Sequence, residues 1–236
     1  MKLEVCVADP QSLVAAIEGG AERIELCSAL ELGGLTPLPG MLALAAASGV
    51  PAYALVRPRS GDFVFDTHDV DAMLRDIDAV RRAGLAGVVV GASRPDGTLD
   101  VPVLRRLLDH AAGLGSTLHR AFDLVPDFAE ATEAAVSLGV ERILTSGGAA
   151  TALAGLDNIA IAHAAARGRT AIMAGGGLRP DNIAPLLAAG TVDEIHSSCA
   201  GPELASAAGA VRLGFAAPAR PPTDAAVVAA FKAALR

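Results

Sequence analysis

Gly115-Ser116-Thr117-Leu118-His119-Arg120-Ala121-Phe122-Asp123 is the stretch from which the fold can be read. Gly115 to Leu118 reads as a short buried strand leaving a glycine turn. His119, Arg120 and Asp123 arrive where that strand should end. A base, a fixed cation and a carboxylate packed this closely make a poor core and a good site. If the pattern recurs along the chain, the strand ends share one place.

It does recur. Reading outward, helical segments that close on glycine precede short apolar strands, the C-cap signal expected before each strand. The strands fall at Leu3–Val7, Arg23–Cys27, Ala52–Val56, Gly87–Val90, Thr117–His119, Glu141–Thr145, Thr170–Ala174 and Val192–His196. Helices are expected over 11–18, 38–48, from Thr67 or Asp69 to 83, 100–112, 127–138, 157–167 and from Arg179-Pro180-Asp181-Asn182 to 189, with a terminal one over 224–235. One β-α unit every 20 to 30 residues or so implies a parallel sheet, and eight units imply closure into a (β/α)8 TIM barrel. An open doubly wound sheet is the runner-up; no Gly-x-Gly-x-x-Gly follows the first strand to support it. The barrel is placed over residues 1–200 as a single domain. Residues 201–236, with a Pro-rich link at 218–222, form a C-terminal helical extension expected to pack on the barrel or on a second subunit.

Composition narrows the function. The chain has 236 residues, 52% hydrophobic, with 3% aromatics and no Trp, so the core must be built from Ala, Val, Leu and Ile. A net charge of −7 argues against general nucleic-acid or membrane-surface binding. The start is too soon interrupted by Asp9-Pro10 for a signal peptide, and no apolar run approaches a membrane span. Three widely spaced cysteines make no disulfide framework, and a reducing cytoplasmic setting is expected. Lys2 and Lys232 are the only lysines, one at each end, which argues against Schiff-base and pyridoxal phosphate chemistry. No organic cofactor is expected.

In a TIM barrel the site lies at the C-terminal strand ends. Alternate strand residues share a face. Glu4 with Cys6, Glu25 with Cys27, Arg57 with Arg59 (if Pro58 keeps the chain extended) and Thr117 with His119 therefore pair up, while Val5, Val7, Ile24 and Leu26 suit packing under helices. An interior lined by Glu4, Glu25, Arg57, His119 and His196 is no ordinary core. Isolated charges buried there cost several kcal/mol each unless paired or solvated. A structural network of buried Glu-Arg pairs is the alternative to a site.

Two further groups stand out. Ser146-Gly147-Gly148 and Gly175-Gly176-Gly177 follow strands six and seven, where glycine lets backbone N–H groups approach an anion. Arg57, Arg59 and Arg120 would add countercharge for a phosphate or carboxylate. Cys6, Cys27 and Cys199 follow strands one, two and eight, neighbours in a closed barrel, and thiolates suit Cu(I). There is no Cys-x-x-Cys, and buried free cysteine also serves as a small apolar residue.

Several motifs occur together and in order. They are Glu4-Val5-Cys6-Val7, Gly20 to Ser28 with Gly33-Gly34-Leu35-Thr36-Pro37, Arg57-Pro58-Arg59-Ser60-Gly61-Asp62-Phe63, His119-Arg120-Ala121-Phe122-Asp123, Thr145-Ser146-Gly147-Gly148 and Ala174-Gly175-Gly176-Gly177. In these motifs the chain resembles the CutC family of copper homeostasis proteins, over about Met1 to Ser198. That resemblance implies a cytoplasmic TIM barrel that forms homo-oligomers, dimers or tetramers. It also implies a role in copper homeostasis or Cu(I) binding, with Cys6 and Cys27 as candidate ligands and Cys199 at the edge of the match. The residues themselves support a second expectation, an enzyme acting on a small phosphorylated or carboxylated metabolite. His119 would be its acid or base and Glu25 the partner carboxyl, with Asp123 and His196 as further acid-base groups. The arginines and glycine loops would hold the anion.

Overall fold

The computed structural model describes residues 1–236. Eight parallel strands close into a barrel in sequence order: β1 (Lys2–Val7), β2 (Arg23–Leu26), β3 (Ala52–Leu55), β4 (Gly87–Val90), β5 (Gly115–Leu118), β6 (Arg142–Thr145), β7 (Ala171–Ala174) and β8 (Glu194–Ser197). The helices between them are α1 (Pro10–Glu18), α2 (Pro39–Ala46), α3 (Thr67–Ala83), α4 (Val101–His110), α5 (Phe128–Leu138), α6 (Leu156–Ala166) and α7 (Ala184–Ala189). The TIM barrel expected from the β-α rhythm is the observed fold. No helix is long and apolar enough to cross a membrane.

Local chemistry sets the boundaries. Asp9, Asp100 and Asp127 each accept backbone N–H bonds from the first turn of their helix, satisfying donors the helix cannot. α3 is capped by Asp66, one residue before Thr67 and three before Asp69, the two expected starts: Asp66 accepts from His68 and Asp69 N–H, and the Asp69 carboxylate accepts from the Asp66 N–H. α7 starts later than expected. Pro180 and the Asn182 side chain, which accepts from Arg179 N at 2.8 Å, hold Arg179–Asn182 as a turn ahead of it. β5 ends at Leu118, so His119 opens a 3-10 turn, Arg120–Leu124, instead of closing the strand.

The apolar core lies outside the cylinder. A cluster of 47 buried residues fills the space between sheet and helices, whereas only Cys27, Tyr53, Leu55 and Val89 form an apolar group within the barrel. Apart from Leu144, Met173 and Thr117, much of the rest of the interior is charged. Glu4 sits in register beside Arg23 on one side and His196 on the other. Arg23 donates through Nε to Glu4 and through Nη2 to Glu194. Arg142 pairs with Glu194 at 3.3 Å and donates to Thr117 Oγ1 at 3.1 Å. Both guanidinium groups lie against the Tyr53 ring, with Cζ 5.5 Å (Arg23) and 4.8 Å (Arg142) from its centroid. Tyr53 reaches across because β4 and β5 carry glycines opposite it. A Cβ at Gly87 or Gly115 would lie 2.2 Å and 2.1 Å from the ring and its hydroxyl. The base of the barrel is thus an ion network stacked on one aromatic plate.

Beyond Gly201 the chain forms a two-stranded hairpin from β9 (Leu204–Ala205) and β10 (Ala219–Arg220) around a short helix α8 (Ala208–Arg212). It then returns as α9 (Ala225–Ala234), which packs on α1 and β1. Val228 and Phe231 are fully buried there, and Val228 lies so close to Gly19 that any Cβ at Gly19 would collide with it. Lys232 pairs with Glu22.

Removing one partner of the ion network should cost more than its surface counterparts. Arg23 is 2% exposed, and Arg23→Met strands Glu4 and Glu194 without their shared cation. Chemical denaturation should register a loss of about 3–5 kcal/mol. Arg106→Met, which breaks an exposed pair with Asp71 at 3.0 Å, should cost under about 1 kcal/mol.

Candidate functional site at the barrel mouth

The inner faces of β1, β2 and β8 deliver Cys6, Glu25 and His196 to one point above the ion network. One ligand atom from each lies within 4.8 Å of the others, and all three residues are buried. His196 is fixed from below: Nδ1 lies 2.9 Å from Glu4 Oε1, leaving Nε2 3.6 Å from Glu25 Oε2. Burial would by itself lift the Glu4 carboxyl, yet the bond to His196 and the Arg23 charge hold it down at about 2. Glu25 behaves oppositely. Its burial raises it to about 7, with Glu4 adding to the rise and His196 only partly offsetting it. Burial disfavours the charged form of His196, but Cys6, Glu4 and Glu25 around it outweigh that and keep the imidazole protonated well above its usual range.

The three cysteines do not form one donor group. Cys27 faces the mouth beside Glu25, and burial with the Glu25 charge pushes its thiol well above the usual value. Cys199 sits in the outer apolar core at a positive φ of 47°, where burial raises it to about 12. Cys6 alone of the three joins His196 and Glu25.

His119 occupies the opposite wall. Its ring lies against the backbone of Gly91, where a Cβ would come within 2.3 Å, and its other face meets Phe63, centroids 4.9 Å apart. Ala121 N donates to His119 Nδ1 at 3.1 Å, so the neutral ring carries its proton on Nε2. Nε2 is buried and has no partner within the chain. Burial and the Arg57 charge lower this imidazole to about 3. His119 is therefore a neutral N–H donor facing the mouth at physiological pH, a different part from the acid or base expected of it.

The arginines divide three ways. Arg57 donates to the carbonyls of Leu32, Gly34 and Gly61 at 2.7–2.9 Å and lies over Phe63, so it ties together the loops after β2 and β3. Its Nε is left without a partner. Arg59 turns outward to Asp69 at 2.9 Å and Asp62 at 3.2 Å; β3 has ended at Leu55 and the chain bends from Arg59 onward, so the two arginines do not share a face. Arg120 stays at the mouth, clamped by Asp123 at 2.7 Å and Ser146 Oγ at 2.5 Å.

Asp123 is an organiser. It accepts from Thr145 Oγ1 at 2.5 Å, Ser146 N at 3.0 Å and Gly148 N at 3.1 Å besides Arg120. With its lone pairs engaged it builds the loop after β6 and has little capacity left for proton transfer. The glycines of that loop serve close packing: Gly147 has φ 69°, and a Cβ there would lie 2.1 Å from the Gly155 carbonyl. Gly175 leaves room for Leu144 and His196. Gly176 and Gly177 form the rim, where a Cβ at Gly177 would meet Thr151 at 2.9 Å and one at Gly176 would meet Ser146 at 3.3 Å.

Two cavities meet here. The outer, about 330 Å³, is lined by Arg120, Gly176, Gly177, Arg179 and Ser198 among others. The inner, about 180 Å³, is lined by Glu25, Cys27, Arg57, Phe63 and His119. Cys6, Arg120 and His196 belong to both. Of the expected site residues, Cys6, Glu25, Cys27, Arg57, His119, Arg120 and His196 gather at this mouth, with Gly176 and Gly177 at its rim. Asp123, Ser146, Gly147, Gly148 and Gly175 support it from behind, while Arg59 and Cys199 lie outside it. Arg23, Arg142 and Glu194 are functional residues outside the expected set, although Arg23 and Glu194 lie two residues before Glu25 and His196 on the same faces.

The buried His119 has a pH signature. Its folded value near 3 lies below the unfolded 6.5, so its contribution to stability is present above 6.5 and is lost as pH falls towards 3. Glu25, raised to about 7, works in the opposite sense between 4.5 and 7. The difference between proteins isolates His119. The destabilisation caused by His119→Gln should shrink as pH is lowered from 6.5 to 4.5, read from denaturation midpoints of both proteins. A constant difference would contradict a buried neutral ring.

Comparison with known proteins places the chain. The CutC family profile matches residues 1–201. A CutC family protein of Sinorhizobium medicae is 57% identical over 233 residues, covering 99% of this chain and 95% of that protein. One from Vibrio campbellii is 46% identical over 200 residues, 84% of this chain and 81% of its own length. Among solved structures, a CutC from Streptococcus agalactiae named for copper homeostasis superposes with a TM-score of 0.79 at 27% identity, over 84% of this chain and 98% of that one. The profile match and the high identity over nearly the whole length agree with the motifs, and the chain belongs to the CutC family.

Proposed function

We propose that the barrel mouth binds Cu(I) as cargo through Cys6 Sγ and His196 Nε2, with Glu25 beside them as a weaker third donor. The observation that carries this reading is the Glu4–His196 bond at 2.9 Å. A carboxylate on the far nitrogen of an imidazole is the arrangement that orients histidine ligands and raises their basicity. Here it directs Nε2 into the group containing Cys6 and Glu25. Thiolate and imidazole suit Cu(I), while the carboxylate is a harder donor that suits it less. Cys27 lines the same cavity and would join only after losing a tightly held proton. Cys199 takes no part.

Anaerobic titration of Cu(I) against a chromogenic chelator tests this. Cys6→Ser and His196→Ala should each weaken binding by tenfold or more, and Glu4→Gln by about 10- to 100-fold. Cys27→Ser should do less and Cys199→Ser nothing. Equal losses from Cys199→Ser and Cys6→Ser would end the proposal. Because the thiol must ionise and the imidazole must be neutral to bind, affinity should rise with pH and protons should be released on loading, measurable in weakly buffered solution.

A second reading is favoured by a separate observation. His119 Nε2 is a buried donor without an acceptor, and Glu25 is held near 7 in the same cavity. Copper binding uses neither the unpaired His119 donor nor a carboxyl that keeps its proton near neutrality. A proton-exchanging carboxyl opposite a neutral N–H donor is suited to acid-base chemistry beside a carbonyl oxygen. On this reading the protein is an enzyme for a small anionic metabolite, working without a lysine.

A further inference from the structure

The outer cavity has features that Cu(I) does not use. After β7 and β8 the chain leaves several N–H groups pointing nowhere within the protein: those of Gly176, Gly177, Leu178 and Ser198 make no hydrogen bond to any backbone or side-chain acceptor. Gly176 and Gly177 have φ of 102° and 69°, conformations that L side chains rarely adopt. Arg120 stands over them. Its Nε is spent on Asp123 and its Nη2 on Ser146 and Ala149, but Nη1 has no partner and lies 3.6 Å from where a Cβ of Gly176 would be. Arg179 lines the same space, with its Nε 3.3 Å from Asp181. The Asp123 carboxylate beside Arg120 is already engaged by Arg120 and by four donors from the β6 loop.

A pre-aimed guanidinium edge over unpaired backbone N–H groups is a receptor for a compact, multiply charged oxyanion. A planar carboxylate would leave most of these donors idle, whereas the oxygens of a phosphate can meet them together. The inner cavity supplies an independent indication of a ligand: His119 and Arg57 line it, and each carries a buried donor without a partner, Nε2 and Nε respectively. The cavities join at Cys6, Arg120 and His196.

We infer that the outer cavity is a phosphate subsite, and that the mouth takes a small phosphate monoester whose non-phosphate end reaches His119 in the inner cavity. The first part stands on the rim alone. The second, an oxygen-bearing end such as a carbonyl, rests on the acid-base reading given above.

Calorimetric titration with inorganic phosphate, glycerol 1-phosphate, dihydroxyacetone phosphate and phosphate-free glycerol separates the two parts. Wild type should bind the three phosphate compounds and not glycerol. Arg120→Met should weaken all three by at least tenfold, and its fold is checked by its thermal transition. Ser198→Asp, an exposed position at the rim, should abolish binding by placing a carboxylate among the donors, and it decides the matter if Arg120→Met does not fold. No saturation by phosphate at about 10 mM, a concentration that detects even millimolar affinity, or unchanged binding by Ser198→Asp, overturns the subsite. Dihydroxyacetone phosphate should bind more tightly than glycerol 1-phosphate, and His119→Phe, which keeps a ring against Gly91, should erase that preference while leaving inorganic phosphate unaffected. Equal binding of the two esters by wild type would refute the carbonyl contact and the acid-base reading with it, while their binding still supports the phosphate subsite.

Discussion

Glu4 is the residue on which the interior turns. It is fully buried, bonded to Arg23 on one side and His196 on the other, and so it belongs both to the ion network at the base of the barrel and to the group at its mouth. A charge in that position is tolerable only because both partners stay in place. The same bonds that neutralise Glu4 therefore fix the His196 ring, and with it the direction of Nε2. Stability and ligand geometry are coupled through one carboxylate.

This coupling explains the division of the molecule into two cores. The outer layer between sheet and helices is apolar and carries the fold. The interior gives up most of its apolar filling to Glu4, Arg23, Arg142 and Glu194, with Tyr53 as the plate that closes the base. Above that floor, where Glu4 is held ionised beneath His196, a small open volume remains, walled by groups in contrasting protonation states: a Glu25 held near neutrality, a protonated His196 and a neutral His119. Each state follows from what the group touches, and together they make a mouth that can hold a soft metal, a polar anion, or both in adjoining places.

Much of this was legible in the chain. The alternation of short apolar strands with glycine-ended helices specified the barrel, and the two-residue period placed Glu4, Cys6, Glu25 and His196 on inner faces. The same period, carried two residues back from Glu25 and His196, would have found Arg23 and Glu194. Other features depend on contacts distant in sequence. Asp123 looked like a catalytic carboxyl beside Arg120, but its role is decided by Thr145, Ser146 and Gly148, more than twenty residues further on. Arg59 shares a strand-like spacing with Arg57, yet the strand has ended by Leu55, the chain bends from Arg59, and Asp62 and Asp69 draw the side chain outward. The cysteines followed neighbouring strands as read, and nothing local revealed that Cys199 would turn into the apolar layer. His119 required knowledge of the Ala121 N–H, which fixes its tautomer and changes its part from acid or base to donor.

Cys6 and His196 as a ligand pair have a direct spectroscopic signature. X-ray absorption at the copper edge of the Cu(I)-loaded protein should show a mixed shell of sulfur and imidazole nitrogen, with imidazole scattering that disappears in His196→Ala. A shell made of sulfur alone, unchanged by that substitution, would contradict the assignment of His196 and Cys6 as a pair held in place by Glu4.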